Sequence, residues 1–252
     1  MTTIPSNAVT PDATPGSSQA AAARPVLRHL AVIPDGNRRW ARARGLPPSA
    51  GHRRGIERAL DLLGWCRQDE EIETVSFGVV SIENLRRSQE EVAPALRGFA
   101  EMVEQIAAGG DWRVRLIGNL DLVPKEFADA VRSSALRTAH TTGPTVNFGI
   151  AYGGRDELQR AVRKLLDARE TAASDPGPDA PLDLSPYLDT CGQPDPDLVI
   201  RTSGEIRLCG FMPWQTVYSE LYFSPVLWPD YDEAEFARAR DSYHARHRRM
   251  GL

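Results

Sequence analysis

Six short apolar runs alternate with longer stretches whose apolar residues recur at helical spacing. This alternation restricts the possible folds more than any other feature of the chain. The runs are Leu27–Pro34, Thr74–Ser81, Arg113–Gly118, Thr145–Ala151, Asp197–Arg201 and Glu220–Phe223. Between them the spacing predicts helices over Gly55–Arg67, Ser88–Ala108, Pro124–His140 and Arg155–Ala168, with a last one over Asp232–Arg248. Ser88 with Glu91 three residues on reads as a capping box, and Pro124 suits a first helical turn. Strands with Val, Ile and Leu on both faces must be covered on both sides. The expected fold is therefore α/β: a single, mainly parallel six-stranded sheet flanked by helices. The chain has 252 residues, enough for one such domain. Residues 1–25, rich in Ala, Ser, Thr and Pro, read as a disordered leader, and 26–252 as the folded domain. Ser174–Pro181 reads as a loop, and no internal repeat is found.

In a sheet of this kind ligands bind at the carboxyl ends of the strands. Four of those ends carry glycines and charges: Asp35-Gly36-Asn37, Ser81 to Arg87, Tyr152 to Arg155, and Arg201 to Glu205. The first is the most informative. Ile33 to Trp40 reads I-P-D-G-N-R-R-W, a tight turn followed by a helix start. Backbone N–H groups at such a start lack intrahelical partners and suit an anion. Asp35 is a hard carboxylate suited to Mg²⁺. Arginine forks match phosphate oxygens. Together these features point to a pyrophosphate substrate, and arginines at both strand one and strand five suit two diphosphates. The plainer alternative is a surface turn with solvated arginines, which is the expected state of Arg42, Arg44 and Arg54.

The net charge is −4, which argues against a nucleic-acid partner. The arginines are nonetheless clustered, as expected for a small anionic ligand. Cys66, Cys191 and Cys209 are widely spaced with no C-x-x-C, which fits a reducing compartment and no structural zinc. No apolar run reaches the length of a membrane span. A cytoplasmic enzyme is expected, one that a lipid-like product would bring transiently to a membrane.

Several longer segments follow one another in order: H-L-A-V-I-P-D-G-N-R-R-W-A, Gly51-His52, S-I-E-N-L-R-R, N-F-G-I-A-Y-G-G-R, D-P-D-L-V-I-R-T-S-G-E-I-R-L and W-Q-T-V-Y-S-E-L-Y-F-S-P-V-L-W-P-D. In this order they resemble the cis-prenyltransferases, the undecaprenyl diphosphate synthase family, from Arg28 to Gly251. The resemblance implies Mg²⁺-dependent condensation of isopentenyl diphosphate onto an allylic diphosphate with a new Z double bond. It also implies a homodimer. Carried over by position, Asp35 is the metal-linked carboxylate and Glu220 completes the metal site. Gly36, Asn37, Arg38 and Arg39 hold the allylic diphosphate, with His52 nearby. Ser81 and Asn84 stand by the reacting carbon, and with Asp35 and Asn37 they form the catalytic set. Arg201, Arg207 and Cys209 grip the isopentenyl diphosphate. Trp40, Leu85 and Arg87 join the substrate-binding group, although Trp40 also reads as packing its helix onto the sheet. Arg249 and Gly251 look like a C-terminal R-x-G that reaches the neighbouring subunit. Read without the family, His52 is a packing histidine, Asn84 a loop cap and Glu220 an edge charge.

Some positions depart from the long-chain pattern. Leu85 stands where Trp is usual, Ser88 where Pro is, Cys209-Gly210 where Ser-Asn is, Ile206 where His or Gln is, and Pro48 where Arg is. Glu-Asn-Leu, R-L-x-G-F and G-Q-P-D-P-D are similar to the short-chain (2Z,6E)-farnesyl diphosphate synthases of actinobacteria. Phe77, Val79, Val80, Phe99, Met102 and Val103 are candidates to close a product tunnel early. A fifteen-carbon product from geranyl diphosphate is expected. The alternatives are a longer undecaprenyl- or decaprenyl-type product and an enzyme that couples irregularly or cyclises. A non-catalytic partner subunit is disfavoured because Asp35, Asn37, Arg39 and both strand-five arginines are present. A phosphohydrolase is disfavoured because no positioned nucleophile accompanies Asp35.

Overall fold

The computed structural model describes residues 24–171 and 182–246. Residues 1–23 of the expected leader, the Ser174–Pro181 loop, Arg249 and Gly251, and the end of the last expected helix lie outside the described residues.

The strands are β1 (His29–Ile33), β2 (Thr74–Ser81), β3 (Arg113–Ile117), β4 (Thr145–Tyr152), β5 (Leu198–Arg201) and β6 (Glu220–Phe223). They form one sheet in the order β3-β4-β2-β1-β5-β6, and every neighbouring pair is parallel. The chain leaves β1 toward β2 on one side and later returns to β5 on the other. The carboxyl end of β1 is thus a topological switch point, where open α/β sheets bind ligands.

Side chains alternate across the sheet. Leu30 and Val32 of β1 join the large core with Val75, Phe77, Phe99, Val103, Phe148 and Trp228. Ala31 joins a smaller cluster with Tyr152, Val199, Phe211 and Met212.

The helices are α1 (Asn37–Ala43), α2 (Pro48–Arg67), α3 (Gln89–Gly109), α4 (Lys125–Arg137), α5 (Gly154–Thr171) and α6 (Glu233–His244). Two details differ from the sequence reading. First, α2 begins at Pro48 rather than Gly55. Proline is favoured in a first turn, while Gly51 and Gly55 interrupt the apolar periodicity. Both glycines face the start of α1. A Cβ on Gly51 would lie 2.1 Å from the Asn37 carbonyl oxygen, and one on Gly55 would lie 2.4 Å from Asn37 Oδ1. The missing side chains let α1 dock tightly on α2. Second, the capping box does not form. The Ser88 hydroxyl makes no cap hydrogen bond, and the Glu91 carboxylate turns instead to Arg87 and Arg38.

A polar row crosses the buried middle of the sheet. His29 Nδ1 lies 2.7 Å from the Pro194 carbonyl, which can only accept, so that nitrogen carries the proton. Nε2 then accepts from the Ser76 hydroxyl at 2.8 Å, and Asn147 donates to the same hydroxyl oxygen. Burial pushes the His29 pKa down from 6.5 to about 4. The unfolded chain therefore takes up this proton first. The corresponding stability is present above pH 6.5 and is lost as the pH falls toward 4, by about 3 kcal/mol. Urea melts across that window should show the loss. His29→Gln, less stable at neutral pH, should lack that part of the slope. An unchanged slope would remove His29 from the acid sensitivity.

Candidate active site

The site starts from how β1 ends. Gly36 has φ 113°, in the left-handed region, and a Cβ there would stand 2.9 Å from Leu227 Cδ2 and 3.1 Å from Leu227 Cα. Only glycine makes this turn without strain. Asp35 is pinned through its main chain. Its N–H donates to Thr202 Oγ1 at 2.9 Å, and its carbonyl accepts from the Thr202 hydroxyl at 2.7 Å and the Trp228 N–H at 3.0 Å. The turn after β1 is thereby locked to the residue that follows β5.

Its carboxylate is locked to the same strand. Ile33 pairs with Arg201 in the sheet register, which brings the Arg201 guanidinium to 2.8 Å from Asp35 Oδ2. Arg201 is 3% exposed and Asp35 33%. Arg201 also donates to the Arg207 carbonyl and, at 3.0 Å, to Cys209 Sγ. Arg39 lies 3.4 Å from both Asp35 and Glu205 and reaches the Ser203 hydroxyl. Glu205 in turn pairs with Arg207. Burial works to raise the Asp35 pKa. Hydrogen bonds from Arg201 and Ser203 and the charges of Arg201 and Arg39 outweigh it and hold the carboxyl below its usual range.

A second group of charges meets across the opening. Glu91 on α3 lies 3.0 Å from Arg87 and 3.5 Å from Arg38. Burial lowers the pKa of His52, with Glu91 opposing this and Arg87 and Arg38 adding to it. Ser81 and Asn84, at the end of β2, bond reciprocally. The Ser81 N–H donates to Asn84 Oδ1 and the Asn84 N–H to Ser81 Oγ, each at 3.3 Å.

These groups line one cleft with a cavity of about 740 Å³. Its mouth is polar, and it deepens into an apolar lobe walled by Ile56, Val79, Leu96, Phe99, Met102 and Phe148. Of the residues singled out in the sequence, the cleft brings together Asp35, Gly36, Asn37, Arg38, Arg39, His52, Ser81, Asn84, Arg87, Arg201, Arg207 and Cys209.

Three others stand elsewhere. Trp40 turns away, with its N–H donating to Asp230 and the Arg44 guanidinium 4.3 Å above its ring. Leu85 packs against the large core. Glu220 begins β6 beside Leu198, at the opposite end of the strands from Asp35, and pairs with Arg246. It does not complete a metal site with Asp35 in the same chain. Arg42 is exposed, as the sequence suggested, and it also lines the cleft. The available signal was its spacing: four residues after Arg38 is one helical turn.

The family model described as undecaprenyl diphosphate synthase matches residues 33–251. The chain belongs to this prenyltransferase family. Isoprenyl transferase 1 of Streptomyces avermitilis is 45% identical over 230 residues, covering 90% of this chain and 89% of that protein. The (2Z,6E)-farnesyl diphosphate synthase of Mycolicibacterium smegmatis is 43% identical, covering 89% and 88%. Among solved structures, lavandulyl diphosphate synthase from Lavandula x intermedia, in complex with dimethylallyl diphosphate, superposes with a TM-score of 0.83. It is 30% identical, covering 90% of this chain and 99% of that one. This cis-prenyltransferase thus has the family's six-stranded parallel sheet, and its charged cleft stands at the sheet's switch point.

Asp35→Asn retains the main-chain bonds that hold the turn but removes the charge. It should lower kcat by about 10²–10³ while cooperative thermal unfolding persists. A kcat within about threefold of wild type would exclude the Asp35 charge from the chemistry.

Proposed function

We propose that this enzyme condenses isopentenyl diphosphate with geranyl diphosphate to give (2Z,6E)-farnesyl diphosphate, using Mg²⁺ and working as a cytoplasmic homodimer. The observation that carries the short product is the inner end of the cleft. Phe77, Phe99 and Phe148 are buried there, with Phe99 edge-on to Phe148 at 5.1 Å and Phe77 stacked on Phe148 at 5.9 Å. In this reading the three contacting rings form a stiff floor that stops the growing tail after few isoprene units. The name of the Mycolicibacterium relative supports the same product.

In this reading Gly36, Asn37, Arg38 and Arg39 hold the allylic diphosphate, with Arg42 added from the structure. Arg201, Arg207 and Cys209 hold the isopentenyl diphosphate. The C–O bond to the allylic diphosphate breaks, and its electron pair leaves with the diphosphate. The isopentenyl double bond attacks the freed carbon, and the carbon beside the resulting cation passes a proton to an oxygen of the released diphosphate, which sets the new double bond. The arginines stabilise the charge that builds on oxygen. Ser81 and Asn84, held by each other, orient the reacting end. The apolar lobe excludes water from the electron-poor carbon.

One carboxylate with a depressed pKa at the mouth fits a magnesium ion, which commonly takes one or two carboxylates together with substrate phosphates and water. When bound, the ion neutralises charge on the departing diphosphate. No group of three or more His, Cys, Asp or Glu side chains poised for a metal occurs among the described residues, in keeping with an ion shared with substrate. Glu220 is not assigned to the ion within its own chain.

The homodimer reading draws on exposed apolar side chains late in the chain: Ile206 is 78% exposed, Val217 66% and Tyr218 67%. None of the described helices is long and apolar enough to cross a membrane. Contact with membranes is proposed only through the lipid product.

A second reading, irregular coupling of two allylic units, draws on the lavandulyl diphosphate synthase likeness and on Ile206. One assay separates the readings: Mg²⁺ and isopentenyl diphosphate with dimethylallyl, geranyl or farnesyl diphosphate in turn, followed by product sizing. The expected result is a fifteen-carbon product from geranyl diphosphate, lengthened in Phe99→Ala. Products of fifty carbons or more from wild type would reject the aromatic floor. Product from a further arm holding Mg²⁺ and dimethylallyl diphosphate without isopentenyl diphosphate would favour the second reading.

A further inference from the structure

Next to the cleft, on the side of the sheet that carries the smaller apolar cluster, lies a closed polar cluster that the proposed chemistry does not use. Its centre is Glu157 in the first turn of α5, 1% exposed. Glu157 accepts from the Tyr152 hydroxyl, from the Asp189 N–H at 3.0 Å and from Gln215 Nε2 at 3.3 Å to each oxygen. Gln215, also buried, donates to Thr190 at 3.0 Å. Asp189 takes Arg160 through both oxygens at 2.7 Å. Burial and the adjacent Glu157 push the Tyr152 phenol far above its usual range, so it keeps its proton as a donor. Only Gln215 Oε1 in this cluster lacks a partner among the described residues, and a buried polar network paired to this extent is stiff.

The cluster meets the cleft through the loop after β5. Tyr152 lines the cleft and meets Phe211 edge-on at 5.5 Å. The Gly154 N–H donates to the Gly210 carbonyl at 3.0 Å. A Cβ on Gly154 would stand 2.3 Å from Pro213 Cδ, so the loop lies directly against the start of α5. The same loop is bent hard. Cys209 has φ 49° and Met212 φ 50°, both in the left-handed region without being glycine. Backbone of this kind persists only where its surroundings over-determine it. The loop also aims the cleft's cations: the Arg207 carbonyl and Cys209 Sγ both accept from Arg201.

We propose that Glu157 is a positioning residue for the isopentenyl diphosphate half of the site. By holding Tyr152 and Gln215 it fixes the 207–213 loop, and the loop fixes Arg201, Arg207 and Cys209. This inference rests on reading those three residues as the isopentenyl diphosphate grip. The allylic half, built on α1, has no contact with the cluster among those described, so the two substrates respond differently.

The test is steady-state kinetics of Glu157→Gln, Glu157→Ala, Tyr152→Phe and Arg207→Ala with Mg²⁺, isopentenyl diphosphate and whichever allylic diphosphate supports turnover. In Glu157→Ala and Tyr152→Phe, KM for isopentenyl diphosphate should rise about tenfold while KM for the allylic substrate stays near wild type. Glu157→Gln, which keeps one acceptor, should recover part of the loss. A purely structural role would instead lower the active fraction and leave both KM values alone, or raise them together; either result overturns the proposal. If Glu157→Ala does not fold, Tyr152→Phe carries the same test, because it removes one hydroxyl and keeps the ring. Should Arg207→Ala raise KM for isopentenyl diphosphate while Tyr152→Phe and Glu157→Gln do not, the positioning role alone fails. Should Arg207→Ala leave that KM unchanged, the assignment of the loop fails and the proposal with it.

Discussion

Arg201 and Asp35 face each other across the ends of two neighbouring parallel strands, and the rest of the cleft is arranged around that pair. A guanidinium that is 3% exposed has lost its water and needs a counter-charge. Asp35 supplies it, because the β1–β5 register sets Ile33 beside Arg201 and the Gly36 turn holds Asp35 over the gap. The remaining charges follow from this contact. Arg39 joins Asp35 to Glu205, and Glu205 joins Arg207. Across the opening Glu91 holds Arg38 and Arg87. An acidic protein can thus concentrate arginines at one strand edge because its own carboxylates hold them in place. A diphosphate offers several oxygens to forks already oriented, so part of the ordering cost is met before it arrives.

The lower half of the cleft has the opposite character. Below the arginines the walls are aliphatic and aromatic, and burying apolar surface there stabilises a bound tail by roughly 25 cal/mol per Å². The two halves together suit a molecule with a highly charged head and a hydrocarbon tail. In the proposed reaction, Phe99 against Phe148 limits how long that tail becomes. Gly51 and Gly55 serve the same construction from outside. By letting α1 sit on α2, they place Asn37, Arg38 and Arg39 over the entrance.

The strands were legible in the sequence because buried parallel strands are nearly continuous apolar runs. All six begin and end within about two residues of the expected positions, the usual latitude of such boundaries. The charged mouth was legible because its residues lie in short segments that each follow a strand. What the sequence did not show depends on partners far along the chain. Glu91 reads as a cap, and only its closeness to Arg38 in space reveals a counter-ion. Glu157 was not singled out in the sequence, where it follows Asp156 in the first turn of α5. Its burial depends on Gln215, 58 residues later. Trp40, Leu85 and Glu220 were linked to the site by resemblance alone, and the packing of Trp40 on Arg44 and the register of β6 place them elsewhere.

In the proposed reaction two diphosphates lie side by side above one apolar lobe. The most direct measurement is a crystal structure of the enzyme with Mg²⁺, isopentenyl diphosphate and an unreactive thio-analogue of geranyl diphosphate. One diphosphate should stand against Arg201, Arg207 and Cys209 and the other against Gly36 to Arg39, with the analogue's tail running down toward Phe99. A single diphosphate spanning both arginine sets, or a tail directed out of the lobe, would contradict the account.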